Sequence, residues 1–156
     1  MSDPKKGDVV TPNSADQIGA ILFACNINAV RSAMAETMVK DAFPGKIFVD
    51  SCGVTPGIQD GFATAVMQEI GLDLSAHRPK SFDDLDSGFY DVIISFSPEA
   101  HAAAEALTQN MDCATFYWPV DNLANLTGSR EEMLRAYRHV RDDIRNKLSI
   151  YFDKPI

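Results

Sequence analysis

The chain has 156 residues, of which 46% are hydrophobic and 23% are charged, a composition typical of one globular domain. Its 22 acidic side chains outnumber the 14 basic ones, and the formal net charge of −8 argues against nucleic-acid binding, which needs a basic face. The longest apolar run, around "IGAILFAC", is too short to cross a bilayer, so no membrane partner is expected. A small, locally positive anion site remains compatible with this composition.

Residues 1–17 are polar and contain Pro, Ser, Asn and Asp, so they are predicted to form a flexible tail ahead of a single domain, residues 18–156. No apolar segment of a secretory signal follows the N-terminal lysines. The three cysteines, Cys25, Cys52 and Cys113, are odd in number and form no Cys/His metal-binding pattern. A reducing, cytoplasmic setting without a metal is therefore expected.

After the tail, short apolar runs alternate with longer amphipathic stretches. The apolar runs predict four strands, at residues 20–25, 47–52, 90–97 and 113–118. The amphipathic stretches predict four helices, at residues 33–43, 58–71, 98–109 and 129–151. The last and longest helix opens with "SREE", in which Ser129 and Glu132 match a capping box.

The regular alternation of strands and helices predicts an α/β fold, a four-stranded parallel sheet with helices on both faces. In sheets of this kind, ligands bind beyond the carboxyl ends of the strands, at the point where the strand order reverses. The loops that follow the strands are therefore the places to look for functional residues.

The loop "CNINAVRS" leads from the end of the first strand into the first helix. Its backbone N–H groups, together with the helix N-terminus, can form a cradle for a phosphate-like oxyanion. Arg31 would bind two oxygens of that anion, and Cys25 beneath it would have a lowered pKa and attack phosphorus as a thiolate. The alternative interpretation is a small buried cysteine with an arginine nearby by chance. The predicted phosphate-binding residues are Asn26, Ile27, Asn28, Ala29, Val30, Arg31 and Ser32.

This loop resembles that of the low-molecular-weight protein tyrosine phosphatases and their arsenate-reductase relatives. The family pattern is C-x-G-N-x-x-R-S-P-M-A-E, and this chain reads C-N-I-N-A-V-R-S-A-M-A-E, with Ile27 in place of Gly and Ala33 in place of Pro. The segments "VDSCG", "LDLSAHRPKSFDDL" and "YDVIISFSPEAH" resemble later parts of the family, so the resemblance covers nearly the whole chain after the tail.

The resemblance implies a role for each loop residue. Cys25 becomes the nucleophile that forms a phosphocysteine, and Arg31 with the loop amides holds the phosphoryl oxygens. Ser32 donates a hydrogen bond to the sulfur. Asn28 takes a left-handed backbone conformation, and its side chain is held by a serine and a histidine, which correspond here to Ser51 and His77. For the histidine, a solvated loop position is the alternative.

The acid that protonates the leaving oxygen is less clear from the sequence. In the family it is the Asp of a D-P pair after the fourth strand. Counted back from "GSREE", that position falls on Asn122, which cannot donate a proton, whereas Asp121 stands one residue earlier. We predict that Asp121 is the acid; otherwise it only turns the loop. Leu123 and Ala124 follow where the family has a tyrosine, which makes the rim of the site less aromatic.

The predicted function is hydrolysis of phosphomonoesters, in the manner of a cysteine-dependent protein tyrosine phosphatase that needs no cofactor. Its partners would be a phosphorylated protein or a small phosphomonoester, and phosphate-like oxyanions. One alternative is arsenate reduction on the same fold, although the thioredoxin-coupled relatives use two further cysteines near the third strand, where "SFSPEAHAAAEALTQNMD" has none. Another is a phosphate- or phosphoprotein-binding module that lacks an efficient general acid.

Overall fold

A computed structural model describes residues 18–85 and 89–156, so the predicted tail lies outside the described residues. The strands are β1 (Ala20–Ile27), β2 (Phe48–Thr55), β3 (Val92–Ser95) and β4 (Ala114–Tyr117). The α-helices are α1 (Arg31–Ala42), α2 (Gly61–Gln68), α3 (Pro98–Leu107) and α4 (Arg130–Phe152), and a short 3₁₀ helix spans Phe82–Asp84.

The four strands form one parallel sheet in the order β2-β1-β3-β4. The predicted fold class, a four-stranded parallel sheet with helices on both faces, is confirmed. The chain moves outward from β1 to β2 and then returns to add β3 on the other side of β1. The strand order therefore reverses between β1 and β3, and parallel sheets bind ligands at such a point.

Each face of the sheet buries its own hydrophobic core. Alternate residues of β1 point to opposite faces, so that Ile21, Phe23 and Cys25 enter one core while Leu22 and Ala24 enter the other. Helices α1, α2 and α4 cover the first core, and α3 covers the second with Ala100 and Ala104. Burying a side chain such as Phe23 contributes about 1.5–3 kcal/mol to the stability of the fold. Because side chains on both faces of β1 are buried, the strand is held firmly beneath the loop that follows it.

Several elements begin or end at residues other than those predicted. β1 continues past Cys25 to Ile27, because Ile27 still pairs with Thr55 of β2. Helix α2 is confined to Gly61–Gln68, since the Asp60 side chain accepts hydrogen bonds from Phe62 N and Ala63 N and so fixes its start. β3 and β4 are shorter than their apolar runs because only their central residues pair with neighbouring strands.

The predicted capping box of α4 is confirmed. Ser129 Oγ accepts a hydrogen bond from Glu132 N, and the Glu132 carboxylate accepts one from Ser129 N, both at 3.1 Å. The helix ends where Asp153 adopts a left-handed conformation with φ 50°. Although α4 has 23 residues, its exposed face is charged, and no helix in the described part of the chain is long and apolar enough to span a membrane.

Candidate active site

The carboxyl ends of β1, β3 and β4 bring the predicted site residues to one edge of the sheet. Cys25 lies near the end of β1, and Arg31 is the first residue of α1. The segment after β4 carries Asp121, which lines the same cavity as Arg31. Arg31 and Asp121 therefore line one cavity, whereas Cys25 is buried at the start of the loop and does not line that cavity.

The Cys25 sulfur is held by two hydrogen-bonding partners and is only 1% exposed. Its thiol donates to the Ile27 carbonyl oxygen at 2.9 Å, and the Ser32 hydroxyl lies 2.9 Å from Sγ. Because Asn28 Nδ2 donates to Ser32 Oγ at 2.8 Å, the hydroxyl hydrogen of Ser32 can point to the sulfur. The predicted pairing of Ser32 with the sulfur is thus present in the structure.

The Asn28 side chain connects the loop to two other segments of the chain. Its amide nitrogen also donates to Ser51 Oγ at 2.9 Å. Its Oδ1 accepts a hydrogen bond from the backbone N–H of Lys80 and lies 3.0 Å from His77 Nε2. Asn28 is fully buried, and every polar atom of its side chain has a partner. Ser51 and His77 therefore stand where the resemblance placed them.

The sequence analysis gave no role to Glu36, which extends this network into α1. Glu36 is 7% exposed, and its carboxylate accepts hydrogen bonds from Ser51 Oγ and Lys40 Nζ. His77 Nδ1 lies 3.7 Å from the same carboxylate. A buried carboxylate must be paired to offset its lost hydration, and these three groups do that. The signal was present in the "MAE" motif, whose glutamate faces inward on the first helix.

The Cys25 pKa was expected to be lowered, and in this structure that expectation is wrong. Burial raises the pKa of the thiol above its ordinary value of 9.0, and the opposing effects of the Ser32 hydrogen bond and the Arg31 charge do not reverse the shift. Backbone hydrogen bonds of Ser32 and Ile27 also lower the pKa, but the effect of burial is larger than all of these together. Burial therefore favours the neutral thiol in this conformation.

We therefore expect alkylation of Cys25 by iodoacetamide to be slow at neutral pH and to accelerate only as the pH rises beyond 9.0, the ordinary thiol value. Only the thiolate reacts, and a raised pKa moves its formation to higher pH. Ser32→Ala should move the midpoint higher still, because a contact that lowers the pKa is lost. Mass spectrometry in a Cys113→Ser background isolates the signal, and rapid labelling below neutral pH would contradict the expectation.

The loop backbone also differs from what the resemblance implied. Among the described non-glycine residues only Asp153 has a positive φ, so Asn28 is not in the left-handed conformation. The reason is that β1 continues to Ile27, whose carbonyl accepts hydrogen bonds from Ala29 N and the Cys25 thiol. The Ile27 side chain packs on Gly57, where an added Cβ would lie 2.1 Å from Ile27 Cγ2. These contacts hold the loop in its present shape.

Arg31 is buried, and its guanidinium binds backbone carbonyls on two neighbouring segments. Nη1 donates to Phe96 O, just after β3, and to Val120 O, just after β4, both at 2.9 Å. Burial lowers the pKa of the guanidinium, while Cys25 and the carboxylates of Glu99 and Asp121 oppose that effect. The side chain is thus turned into the protein, not out into bulk water.

Two cavities meet at Arg31 and Asn122, which line both of them. One, of about 310 Å³, is bordered by Asp121, Glu99 and Tyr117. The other, of about 470 Å³, has an apolar wall that includes Ile27 and Leu123. Asp121 is exposed in the first cavity, whereas the Asn122 side chain accepts a hydrogen bond from Ala124 N at 3.0 Å and shapes its own loop. Trp118, at the end of the predicted fourth strand, is fully buried in the core.

The other two cysteines do not face Cys25. In the β1–β2 register Cys25 lies opposite Gly53 and Ala24 opposite Cys52, so Cys52 points to the other core. Burial raises the pKa of Cys52, and it raises that of Cys113 to about 11. Cys113 precedes β4 at the opposite end of the strand from the site. All three cysteines are free thiols.

The structure thus has a loop between the first strand and the first helix of a parallel sheet, with a buried cysteine before it and a buried arginine at its end. The chain belongs to the low molecular weight phosphotyrosine protein phosphatase family, whose model matches residues 20–154. It is therefore an enzyme of this family, and the resemblance noted in the sequence is confirmed.

Two curated relatives with similar sequences carry the name of a different activity. The glutaredoxin arsenate reductase of Synechocystis sp. is 37% identical over 75 residues. The match covers 48% of this chain and 57% of that protein. The arsenate reductase of Halalkalibacterium halodurans is 28% identical over 131 residues, which cover 84% of this chain and 93% of that one.

A solved structure shows the same fold. The Erwinia amylovora tyrosine phosphatase amsI superposes with a TM-score of 0.71, covering 88% of this chain and 93% of that one. Its sequence is 18% identical, so the likeness concerns the fold alone. Proteins named phosphatase and proteins named arsenate reductase are thus both similar to this chain, and its activity must be argued from its own residues.

Proposed function

We propose that this enzyme hydrolyses phosphomonoesters through a phosphocysteine on Cys25. The observation that carries the proposal is the position of the Cys25 sulfur, hydrogen-bonded to Ser32 at the start of α1, beside the buried guanidinium of Arg31. The helix N-terminus and the arginine together favour a dianion over the sulfur. Asp121 lines a cavity together with Arg31, and we assign its carboxyl group to proton transfer.

In the first chemical step the Cys25 thiolate attacks phosphorus, forming an S–P bond as the bond to the ester oxygen breaks. Asp121 gives its proton to the departing oxygen, which leaves as a neutral alcohol or phenol. Arg31 and the loop amides stabilise the charge on the three equatorial oxygens in the transition state. Ser32 donates to the sulfur, which favours the thiolate before attack and again when it leaves.

In the second step water attacks the phosphocysteine and the Asp121 carboxylate accepts a proton from it. The S–P bond breaks, inorganic phosphate leaves and the Cys25 thiolate is restored. No electron is gained or lost in the cycle, so no redox partner is needed.

The loop must change shape for this chemistry, because the Ile27 carbonyl now holds the thiol proton. We expect the peptide group between Ile27 and Asn28 to rotate as an oxyanion binds. The rotation removes the acceptor of the thiol proton and turns the Asn28 N–H toward the anion. Both changes favour the thiolate, which is how a cysteine that is neutral in this conformation becomes a nucleophile.

Phosphotyrosine in a protein is the substrate that we propose within this class. The apolar cavity beside the loop, about 470 Å³ in volume, offers Ile27, Leu123 and Tyr137 to an aryl leaving group. A hydrophobic pocket of this size holds a small ring system with its phosphate directed at a polar group.

Arsenate reduction is the second candidate, and the names of the curated relatives favour it. Cys25 would attack arsenate with loss of water, forming an S–As bond. Because Cys52 and Cys113 face elsewhere, an external thiol of the glutathione class would then attack the Cys25 sulfur. That attack gives a mixed disulfide and releases arsenite; a second external thiol frees Cys25 and forms the donor's disulfide.

The two functions are separated by assaying one protein preparation with both substrates. We expect turnover of p-nitrophenyl phosphate and of a phosphotyrosine peptide, with slower turnover of a phosphoserine peptide. Arsenate is offered with glutathione, glutaredoxin and a coupled reductase. Arsenate-dependent oxidation of glutathione without phosphate release would overturn the phosphatase proposal, and phosphate binding without either turnover would indicate a binding module.

A further inference from the structure

The segment that joins β4 to α4 carries Asp121; we name residues 119–128 the acid loop. Just before it, Trp118 N donates to Ser95 O at 2.8 Å, and just after it Ser129 caps α4. Inside the loop, Leu126 N donates to Leu123 O and Ala124 N to the Asn122 side chain. These internal bonds shape the acid loop but do not fix it to the rest of the protein.

One hydrogen bond links the acid loop to another element. Among the residues that the structure describes (18–85 and 89–156), the bond from Arg31 Nη1 to Val120 O is the only hydrogen bond between the acid loop and another segment of the chain. The donor is charged and buried, and the same nitrogen also donates to Phe96 O. Hydrogen bonds from charged groups are stronger than those between neutral groups, so this contact stabilises the position of the loop.

Side-chain packing holds only the first part of the acid loop. The Val120 side chain is buried in the core and Leu123 packs against it, whereas Asp121 and Asn122 project into solvent. Residues 124–128 are also exposed. The position of Asp121, directly after Val120, thus depends on how firmly the Val120 peptide group is held.

We propose that Arg31 is a positioning residue for the acid loop, in addition to its expected contact with the oxyanion. The guanidinium fixes the Val120 carbonyl and thereby sets where the Asp121 carboxyl stands relative to the nucleophile loop. A movement of the guanidinium toward an oxyanion moves or releases the Val120 peptide group, so anion binding and acid placement are coupled through one side chain. The catalytic part of this inference rests on the proposed function; the tether itself does not.

Backbone ¹⁵N relaxation of the protein without added oxyanion tests the tether. Arg31→Met keeps an apolar stem but removes both hydrogen bonds, so the order parameters of residues 121–124 should fall from about 0.85 to below about 0.6. Residues of the sheet and of α4 should be unchanged. Arg135→Met is the matched control, because Arg135 is exposed and borders a cavity with Leu126 and Thr127 without bonding to the acid loop. Unchanged values at 121–124 would overturn the proposal.

If Arg31→Met does not fold, the wild-type guanidinium decides the question by ¹⁵N NMR. A bonded Nη1 rotates slowly about Nε–Cζ, so distinct Nη1 and Nη2 signals are expected. A single averaged signal would show that the carbonyl bonds are not formed and would overturn the tether.

A double-mutant cycle tests the catalytic consequence. If Arg31 positions Asp121, then Asp121→Asn should cost at least about ten times less in kcat in an Arg31→Lys background than in the wild type. Equal losses in both backgrounds would contradict positioning. Because the relaxation experiment needs no turnover, failure of the proposed function and failure of the tether give different results.

Discussion

Replacing Cys25 with serine is expected to reduce turnover of p-nitrophenyl phosphate by about 10⁴-fold or more while phosphate binding is retained. A serine hydroxyl is almost fully protonated where a thiol can ionise. The proposed anion cradle is mostly main chain and helix N-terminus, so we expect phosphate binding not to depend on the sulfur. Steady-state kinetics and calorimetric titration with inorganic phosphate measure the two effects separately.

Cys113→Ser is the matched control, since Cys113 is a half-buried free thiol remote from the cavities at Arg31. It should turn over the substrate at the wild-type rate. A Cys25→Ser enzyme that remains active would show that the nucleophile lies elsewhere. Loss of both turnover and phosphate binding would instead mean that the sulfur is part of the anion site, not only the attacking group.

Replacing Asp121 with asparagine is expected to lower the rate by about 10²–10⁴-fold. The asparagine side chain cannot give a proton to the departing oxygen. The loss should be larger for phenyl phosphate than for p-nitrophenyl phosphate, because nitrophenolate is a better leaving group and needs less protonation. Steady-state kinetics with both esters give the comparison.

Asn122 provides the control for this assignment. Asn122→Ala removes a side chain that bonds within the acid loop but carries no proton to donate, so its effect should be smaller. If Asn122→Ala reduces the rate more than Asp121→Asn does, Asp121 is not the acid. Equal losses with the two esters would likewise exclude proton donation to the leaving group.

The fold could be predicted from the sequence because its signals are local. Four apolar runs separated by amphipathic stretches predict the strands and helices, and the capping box of Ser129 and Glu132 marks the start of the last helix. The ends of elements were less predictable. Ile27 belongs to β1 because Thr55 pairs with it, and such pairing depends on a partner strand far away in sequence.

The candidate site could be predicted as a set of residues but not in its geometry. The motif named Cys25, Arg31 and Ser32, yet it could not show that Arg31 binds the carbonyls of Phe96 and Val120, since no side-chain pattern marks a backbone acceptor. The prediction of a lowered Cys25 pKa was wrong for a related reason. Motif spacing shows which charges lie near a sulfur, whereas the desolvation that dominates its pKa depends on how the finished fold covers it.

The contact between Ile27 and Gly57 makes these two positions interdependent. Gly57 has a φ of +73°, and any side chain there would collide with Ile27 Cγ2. A side chain at position 57 of this chain therefore requires that Ile27 be lost or displaced, and it must also accept the strain of the positive φ. Descendants of this sequence that acquire a substituted Gly57 should first have lost the isoleucine, so the order of the two changes along a lineage is constrained by a single van der Waals contact.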